Sequence, residues 1–257
     1  MMMPEETVLV NRPAPGVVEV VVNRPPLNVL DSGLQGDLAA VLTRIADLED
    51  LRCVLLRGAG ARAFSVGADV KELAADAAPD PWSGVELDAH WSSLLESLPC
   101  LTISCIRGYC LGGGLELALC TDVRLAAPDA QFGFPEVRLG LIPGMGGTVR
   151  LPRIVGRAWA KRMVLTGAPI SAEQAQAIGL VQEVVADPRT VGLDLAASLA
   201  AGGPLAQREA KALIDRRADE TGLRAERAAW YRLWETGDRR EAIAAFLAHR
   251  QAVFTGD

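Results

Sequence analysis

Two glutamates and three glycine turns are the residues of this 257-residue chain whose types and spacing could do chemistry. Between Leu98 and Thr121 the only charged residues are Arg107 and Glu116. Glu116 directly follows Gly112-Gly113-Gly114 in an apolar run. Burying it as an anion is expensive, so it needs a raised pKa or a specific partner. Both suit a general acid or base, and a structural glutamate paired with an arginine is the competing reading. Glu136 comes 20 residues later, after Pro135, on what should be a constrained turn. Alone it reads as an ordinary loop glutamate. Beside Glu116 it makes a pair of carboxyls able to divide acid and base duties on one substrate. Gly112 to Gly114 leads into an apolar helical stretch and would aim free backbone N–H groups at an anion or a developing oxyanion. Ser65-Val-Gly-Ala-Asp69 and Pro143-Gly-Met-Gly-Gly147 are two similar bends, and each glycine turn alone is weak evidence.

Other chemistries fail on inspection. Gly144-Met-Gly146 lacks the third glycine of a dinucleotide fingerprint, because position 149 is Val. No GxxxxGK[ST] occurs. Ala63-Phe-Ser-Val-Gly67 misses the nucleophile elbow GxSxG at Ala63, and a serine hydrolase would need one of only two histidines, His90 or His249, as its base. The five cysteines, Cys53, Cys100, Cys105, Cys110 and Cys120, form no CxxC and no even framework. They read as reduced core residues of a cytosolic protein, and no metal site is expected. A net charge of −6 argues against nucleic-acid binding. No secretory signal precedes Gly16, and apolar runs end well before 18 residues, so no membrane span is expected.

The elements that must position these groups alternate. Val17 to Val22, Cys53 to Arg57, Leu101 to Ile106, Val123 to Ala126 and Val181 to Val185 read as short strands. Leu34 to Leu48 carries a helical stripe at 34, 38, 41, 42, 45 and 48, and Trp82 to Leu98 a second one stopped by Pro99. Ser171-Ala-Glu-Gln174 is a capping box for a helix ending at Gly179. The alternation predicts an α/β architecture through about residue 190. Beyond it the β signal stops. From Gln207 onward ten Lys/Arg and nine Asp/Glu surround Trp230, Tyr231, Trp234, Ile243 and Phe246 in helical patterns. This is a solvated helical cap, a subunit-packing surface or a ligand lid. We divide the chain into a core over 1–195 and a helical subdomain over 196–257.

Seven ordered stretches resemble the crotonase, or enoyl-CoA hydratase/isomerase, superfamily. They are Asn23-Arg-Pro-Pro-Leu-Asn-Val-Leu30, Phe64-Ser-Val-Gly-Ala-Asp-Val-Lys71, Gly108-Tyr-Cys-Leu-Gly-Gly-Gly-Leu-Glu116, Phe132-Gly-Phe-Pro-Glu136, Gly140-Leu-Ile-Pro-Gly-Met-Gly-Gly147, Val164-Leu-Thr-Gly167 and Asp238-Arg-Arg-Glu241. The resemblance implies a spiral of ββα turns with a helical C-terminal part that trimerises, and two trimers often stack. It implies an acyl-CoA thioester as substrate, with CoA as part of that substrate and no separate cofactor. It places an oxyanion hole at the amides of Ala68 and Gly113. It makes Glu116 the base that activates water, Glu136 the acid that protonates the α-carbon, and Gly144 the amide that helps hold the water. Arg62, Phe64, Val66, Ala68, Asp69, Val70, Lys71 and Gly113 would border CoA, with Arg24 and Lys71 as phosphate neighbours. The retained glutamate pair favours syn hydration of a 2-enoyl-CoA. Isomerisation, dehydration, racemisation, a non-catalytic subunit and RNA binding are the alternatives. Two departures stand out: Arg107 precedes Gly108 where the family often has Asn, and His249 aligns with a lysine that reaches a neighbouring subunit's CoA in some members. Trp230 falls where some members use an aromatic beside the acyl or pantetheine chain.

Overall fold

The computed structural model describes residues 6–73, 90–214 and 219–257. Among the described residues, ten strands form two sheets. The larger one orders β1 (Val8–Ala14), β2 (Val17–Val22), β3 (Cys53–Gly58), β5 (Leu101–Ile106), β7 (Val123–Ala126) and β10 (Glu183–Val184) side by side. Only β1 runs antiparallel to its neighbour. The smaller sheet orders β4 (Ala63–Ser65), β6 (Tyr109–Leu111), β8 (Gln131–Gly133) and β9 (Ile170–Ser171). Strands β3, β5 and β7 each hand the chain to the smaller sheet, and a helix follows, which generates a ββα spiral. The handovers bring three turns to one place: the turn after β4, the Gly112–Gly114 turn after β6, and the turn after β8.

Parallel strands covered on both faces read as unbroken apolar runs. All six positions of β2 are buried, and the strands expected at 17–22, 101–106 and 123–126 have those limits. Cys53 to Arg57 extends by one residue to Gly58, while the strand expected over 181–185 shrinks to Glu183–Val184. Helix α1 (Ser32–Ala46) buries Leu34, Leu38, Val41, Leu42 and Ile45, and the Asp31 side chain caps it by accepting from the Leu34 amide at 2.9 Å. Helix α2 (Val70–Leu73) is one turn. The helix expected over 82–98 is α3, Trp91–Ser97, capped by His90; positions 82–89 lie outside the described residues. Helix α4 (Gly113–Leu119) is buried along its whole length. Helix α5 (Gly147–Thr166) is kinked at Gly156, where φ is +75°. The capping box at Ser171 and Gln174 starts α6 (Ala172–Ala177).

Helix α7 (Pro188–Ala200) packs on the far face of the large sheet, Ala196 joining Val17, Cys53, Leu55, Ile103, Cys105 and Leu125 in one buried cluster. There Glu19, buried on β2, is held by Arg57 and Arg189. Burial would push its carboxyl up, but hydrogen bonds from Arg189 and Arg57 outweigh it and hold it below its ordinary value. Helices α8 (Pro204–Ile214), α9 (Glu220–Trp234) and α10 (Gly237–Leu247) complete the chain. Lys211 ties α8 to the core by donating to the Cys100 carbonyl and to Asp122, both at 2.8 Å. Buried Asp238 accepts from the Thr255 and Gly256 amides, fastening the last residues to α10. All five cysteines are free thiols and buried. Burial pushes Cys100 and Cys105 up to about 12 and moves the other three the same way. No helix among the described residues is long and apolar enough to cross a membrane.

Candidate active site

The turns after β4 and β6 meet backbone to backbone. Leu30 bridges Ala68 in a parallel pairing, with the Leu30 amide donating to the Gly67 carbonyl at 2.9 Å. In such a pairing the bonds flank the bridged residue, so the Ala68 N–H turns to the opposite side. Gly113 is the first residue of α4, and its N–H has no acceptor within the helix. Neither amide donates to a protein acceptor among the described residues. A Cβ on Gly67, whose φ is +85°, would stand 2.5 Å from the Gly113 nitrogen, and a Cβ on Gly113 would stand 3.7 Å from the Ala68 nitrogen. Two unsatisfied N–H donors are thus neighbours, and glycine permits the approach. A Cβ on Gly114 would run into the Ser65 carbonyl, so α4 starts pressed against β4.

Gly112 connects the two carboxyls. Its φ is +53°, and its carbonyl accepts from the Leu115 and Glu116 amides at 2.8 and 3.0 Å, which starts the turn that carries Glu116. Its own amide donates to Gly133 at the end of β8 at 2.9 Å. That bond brings the following 3-10 turn, Pro135–Leu139, alongside, and a Cβ on Gly112 would lie 3.1 Å from Oε1 of Glu136. Glu116 is almost fully buried, at 1% exposure. Its Oε1 accepts from the Met145 and Gly147 amides, each at 2.7 Å. Burial raises its pKa, and these two donors together with the Arg150 cation oppose the rise. The partner that an isolated buried glutamate demands is therefore chiefly backbone. Glu136 has no such support: its Oε2 is buried without a hydrogen bond among the described residues. Burial, with a smaller push from Glu116, raises its pKa to about 7.

The residues expected around CoA divide. Arg62, Val70 and Lys71 are exposed, and Val66, Ala68 and Asp69 half-buried, on the rim beside the paired amides. Phe64 is core, so only its backbone can face a ligand. Arg24 is ion-paired with Asp31, and Asp69 accepts from the Lys71 amide at 2.9 Å. His249 is exposed after α10, with φ +52°, and Trp230 lies on the exposed face of α9, stacked on Trp234 at 4.9 Å. Gly144 belongs to the loop that holds Glu116, but the amides that donate to Glu116 are those of Met145 and Gly147. The glycine density of Pro143 to Gly147 was the signal for that loop. The particular donors had none, because any residue supplies an amide.

The enoyl-CoA hydratase/isomerase family model matches residues 13–257. A Bacillus subtilis protein with the same enoyl-CoA hydratase/isomerase description is 40% identical over 243 residues, covering 92% of this chain and 94% of its own. The 2,3-dehydroadipyl-CoA hydratase of Escherichia coli is 37% identical over 254 residues, covering 93% and 95%. The crystal structure of an enoyl-CoA hydratase from Bacillus anthracis superposes with a TM-score of 0.87 at 36% identity, covering 98% of this chain and all of that one. With its ββα spiral, its paired turn amides and its two converging glutamates, the chain belongs to the enoyl-CoA hydratase/isomerase family, the crotonase superfamily.

Proposed function

We propose that the protein is an enoyl-CoA hydratase that adds water syn across the α,β double bond of a 2-enoyl-CoA thioester. The observation that carries this reading is the contrast between two carboxyls that meet across Gly112. Glu116 receives two amide donors, which favour the carboxylate and suit a base. Glu136, with one oxygen buried and unpartnered, holds its proton up to about pH 7 and suits an acid. Glu116 takes a proton from water, and the hydroxide oxygen bonds to the β-carbon. The electron pair of the double bond moves toward the thioester oxygen, which the Ala68 and Gly113 amides receive. Glu136 then delivers its proton to the α-carbon. Proton return from Glu116 to Glu136 through a following water resets the pair. Gly144, on the same loop as the Met145 and Gly147 donors, contributes a contact to that water.

CoA is part of the substrate, and no separate cofactor is required. Its nucleotide end lies along Arg62 to Lys71. Lys71 is the better phosphate neighbour, because Arg24 is already paired with Asp31. The buried, reduced thiols support a cytoplasmic setting. The test uses two substrates with opposite signals. Purified protein should remove the absorbance of the conjugated thioester from crotonyl-CoA. With a 3-enoyl-CoA it should generate that absorbance slowly or not at all. Rapid appearance of conjugation from the 3-enoyl substrate, with crotonyl-CoA untouched, would assign an isomerase instead.

A further inference from the structure

The loop that grips Glu116 is itself held from outside. Arg150, on the first turn of α5, donates through one terminal nitrogen to the Met145 carbonyl at 2.7 Å. Its Nε and second terminal nitrogen form a two-pronged bond to Glu96 of α3 at 2.6 and 2.7 Å. The Arg150 side chain is mostly buried, 15% exposed, whereas Glu96 is 45% exposed. The peptide geometry follows from these bonds. The Met145 carbonyl points at Arg150 while the Met145 amide points at Glu116 Oε1, so one residue is pinned at both ends. A Cβ on Gly146, where φ is +103°, would collide with the same guanidinium nitrogen. The loop therefore closes against Arg150 without a side chain between them.

A planar fork fixed by Glu96 aims a hydrogen bond better than a flexible ammonium would. Glu116 Oε1 is occupied by Met145 and Gly147, and its Oε2 makes no hydrogen bond to protein among the described residues. Among the described residues, the Arg150 cation of α5 acts on Glu116, and Glu116 in turn acts on Glu136 of the 3-10 turn. Cys120, whose thiol donates to the Glu116 carbonyl at 3.3 Å, stays protonated.

We propose that Arg150, locked in place by Glu96, is a positioning residue for Glu116: it sets the Met145–Gly147 loop so that two amides hold one carboxylate oxygen and leave the other to the reacting water. This rests on the reading of Glu116 as the base, so the test carries one readout that needs no turnover. Wild type, Arg150→Met, Arg150→Lys and Glu96→Gln are compared as full chains. Hydration of crotonyl-CoA gives kcat and KM, and thermal melts confirm folding. Infrared titration of the Glu116 carboxyl, assigned by subtraction of Glu116→Gln, gives its protonation midpoint.

In Arg150→Met, kcat should fall roughly 10- to 100-fold with KM little changed, the scale expected when a catalytic group is misplaced by about an ångström. The Glu116 midpoint should move to higher pH, because the carboxylate loses a facing cation and its aimed amides. Arg150→Lys should recover the midpoint more than the rate, since it keeps the charge and loses the fork. Glu96→Gln should lower kcat with a smaller midpoint change, and it carries the test if Arg150→Met does not fold. A folded Arg150→Met with wild-type kcat and midpoint overturns the proposal. A lower kcat with an unmoved midpoint overturns it too, since that marks a general structural defect. A wild type that leaves crotonyl-CoA untouched overturns the hydratase reading, and the infrared midpoint alone then decides whether Arg150 governs Glu116.

Discussion

Glu116 and Glu136 are both pushed upward by burial, and they differ in what opposes it. Two amides and a nearby cation favour the ionised form of Glu116, while only a backbone bond of its own supports Glu136. Glu116→Gln and Glu136→Gln should each lower kcat by at least ~10²-fold with a smaller change in KM, the usual contribution of general acid–base steps. The pH profile follows with its sign. The acid must begin protonated, so kcat should decline as pH rises through about 7, where Glu136 loses its proton. The base must begin ionised, so kcat should also fall on the acid side as Glu116 takes up a proton. Steady-state rates from acid to alkaline pH check both limbs, and a flat alkaline limb would remove Glu136 as the acid.

Short turns, more than helices and strands, set the spacing of the reacting groups. Gly67 shows this most sharply: its φ of +85° disfavours a side chain, and a Cβ would press on the Gly113 nitrogen. Gly67→Ala should therefore force the two amides apart and cost roughly 10²-fold or more in kcat, as the loss of one oxyanion donor does. A melt near the wild-type temperature alongside that loss would place the effect in the site. Wild-type turnover by a folded Gly67→Ala would remove the paired amides from the mechanism. The same turns explain what the sequence made legible. The apolar runs of β2, β5 and β7 are long enough to show their type, and Ser171 marks a helix start because a cap is a side-chain property. Strands β4, β6 and β8 have three residues each, too few for any period to appear in the sequence. Helix α5 hid behind its Pro152 and the Gly156 break. Glu116 stood out by charge in apolar surroundings, whereas Glu136 gained meaning only beside it and by family resemblance. The donors that hold Glu116 did not stand out, since amides leave no mark in residue type, and the type of Arg150 carries no sign of its pairing with Glu96.

At the scale of the whole molecule, the C-terminal helices leave a row of large apolar side chains uncovered among the described residues. Trp230, Tyr231, Trp234, Ile243, Phe246 and Leu247 are exposed, whereas Ala229 and Ala245 are the apolar residues that α9 and α10 bury. A soluble monomer seldom presents so large an apolar area to water. Association of identical subunits around this face is the simplest way to cover it, and the family resemblance points to a trimer or a pair of trimers. Light scattering should then report about 82 or 163 kDa, three or six copies of 27.2 kDa. A chain ended after Ala206 should be insoluble, or monomeric and inactive. Full-length protein that scatters as an active monomer at micromolar concentration would defeat this reading.

The five buried thiols have a meaning beyond the compartment they suit. A thioester is an acylating agent, and a thiolate within reach can take its acyl group from CoA. Every cysteine here is both shielded from solvent and held protonated by its surroundings. A protein built this way can turn over acyl-CoA without being acylated by its own substrate. Incubation with excess butyryl-CoA, whose saturated chain allows only acyl transfer with CoA leaving, should leave the intact mass unchanged, while the same treatment of the unfolded chain should add acyl groups at its five cysteines.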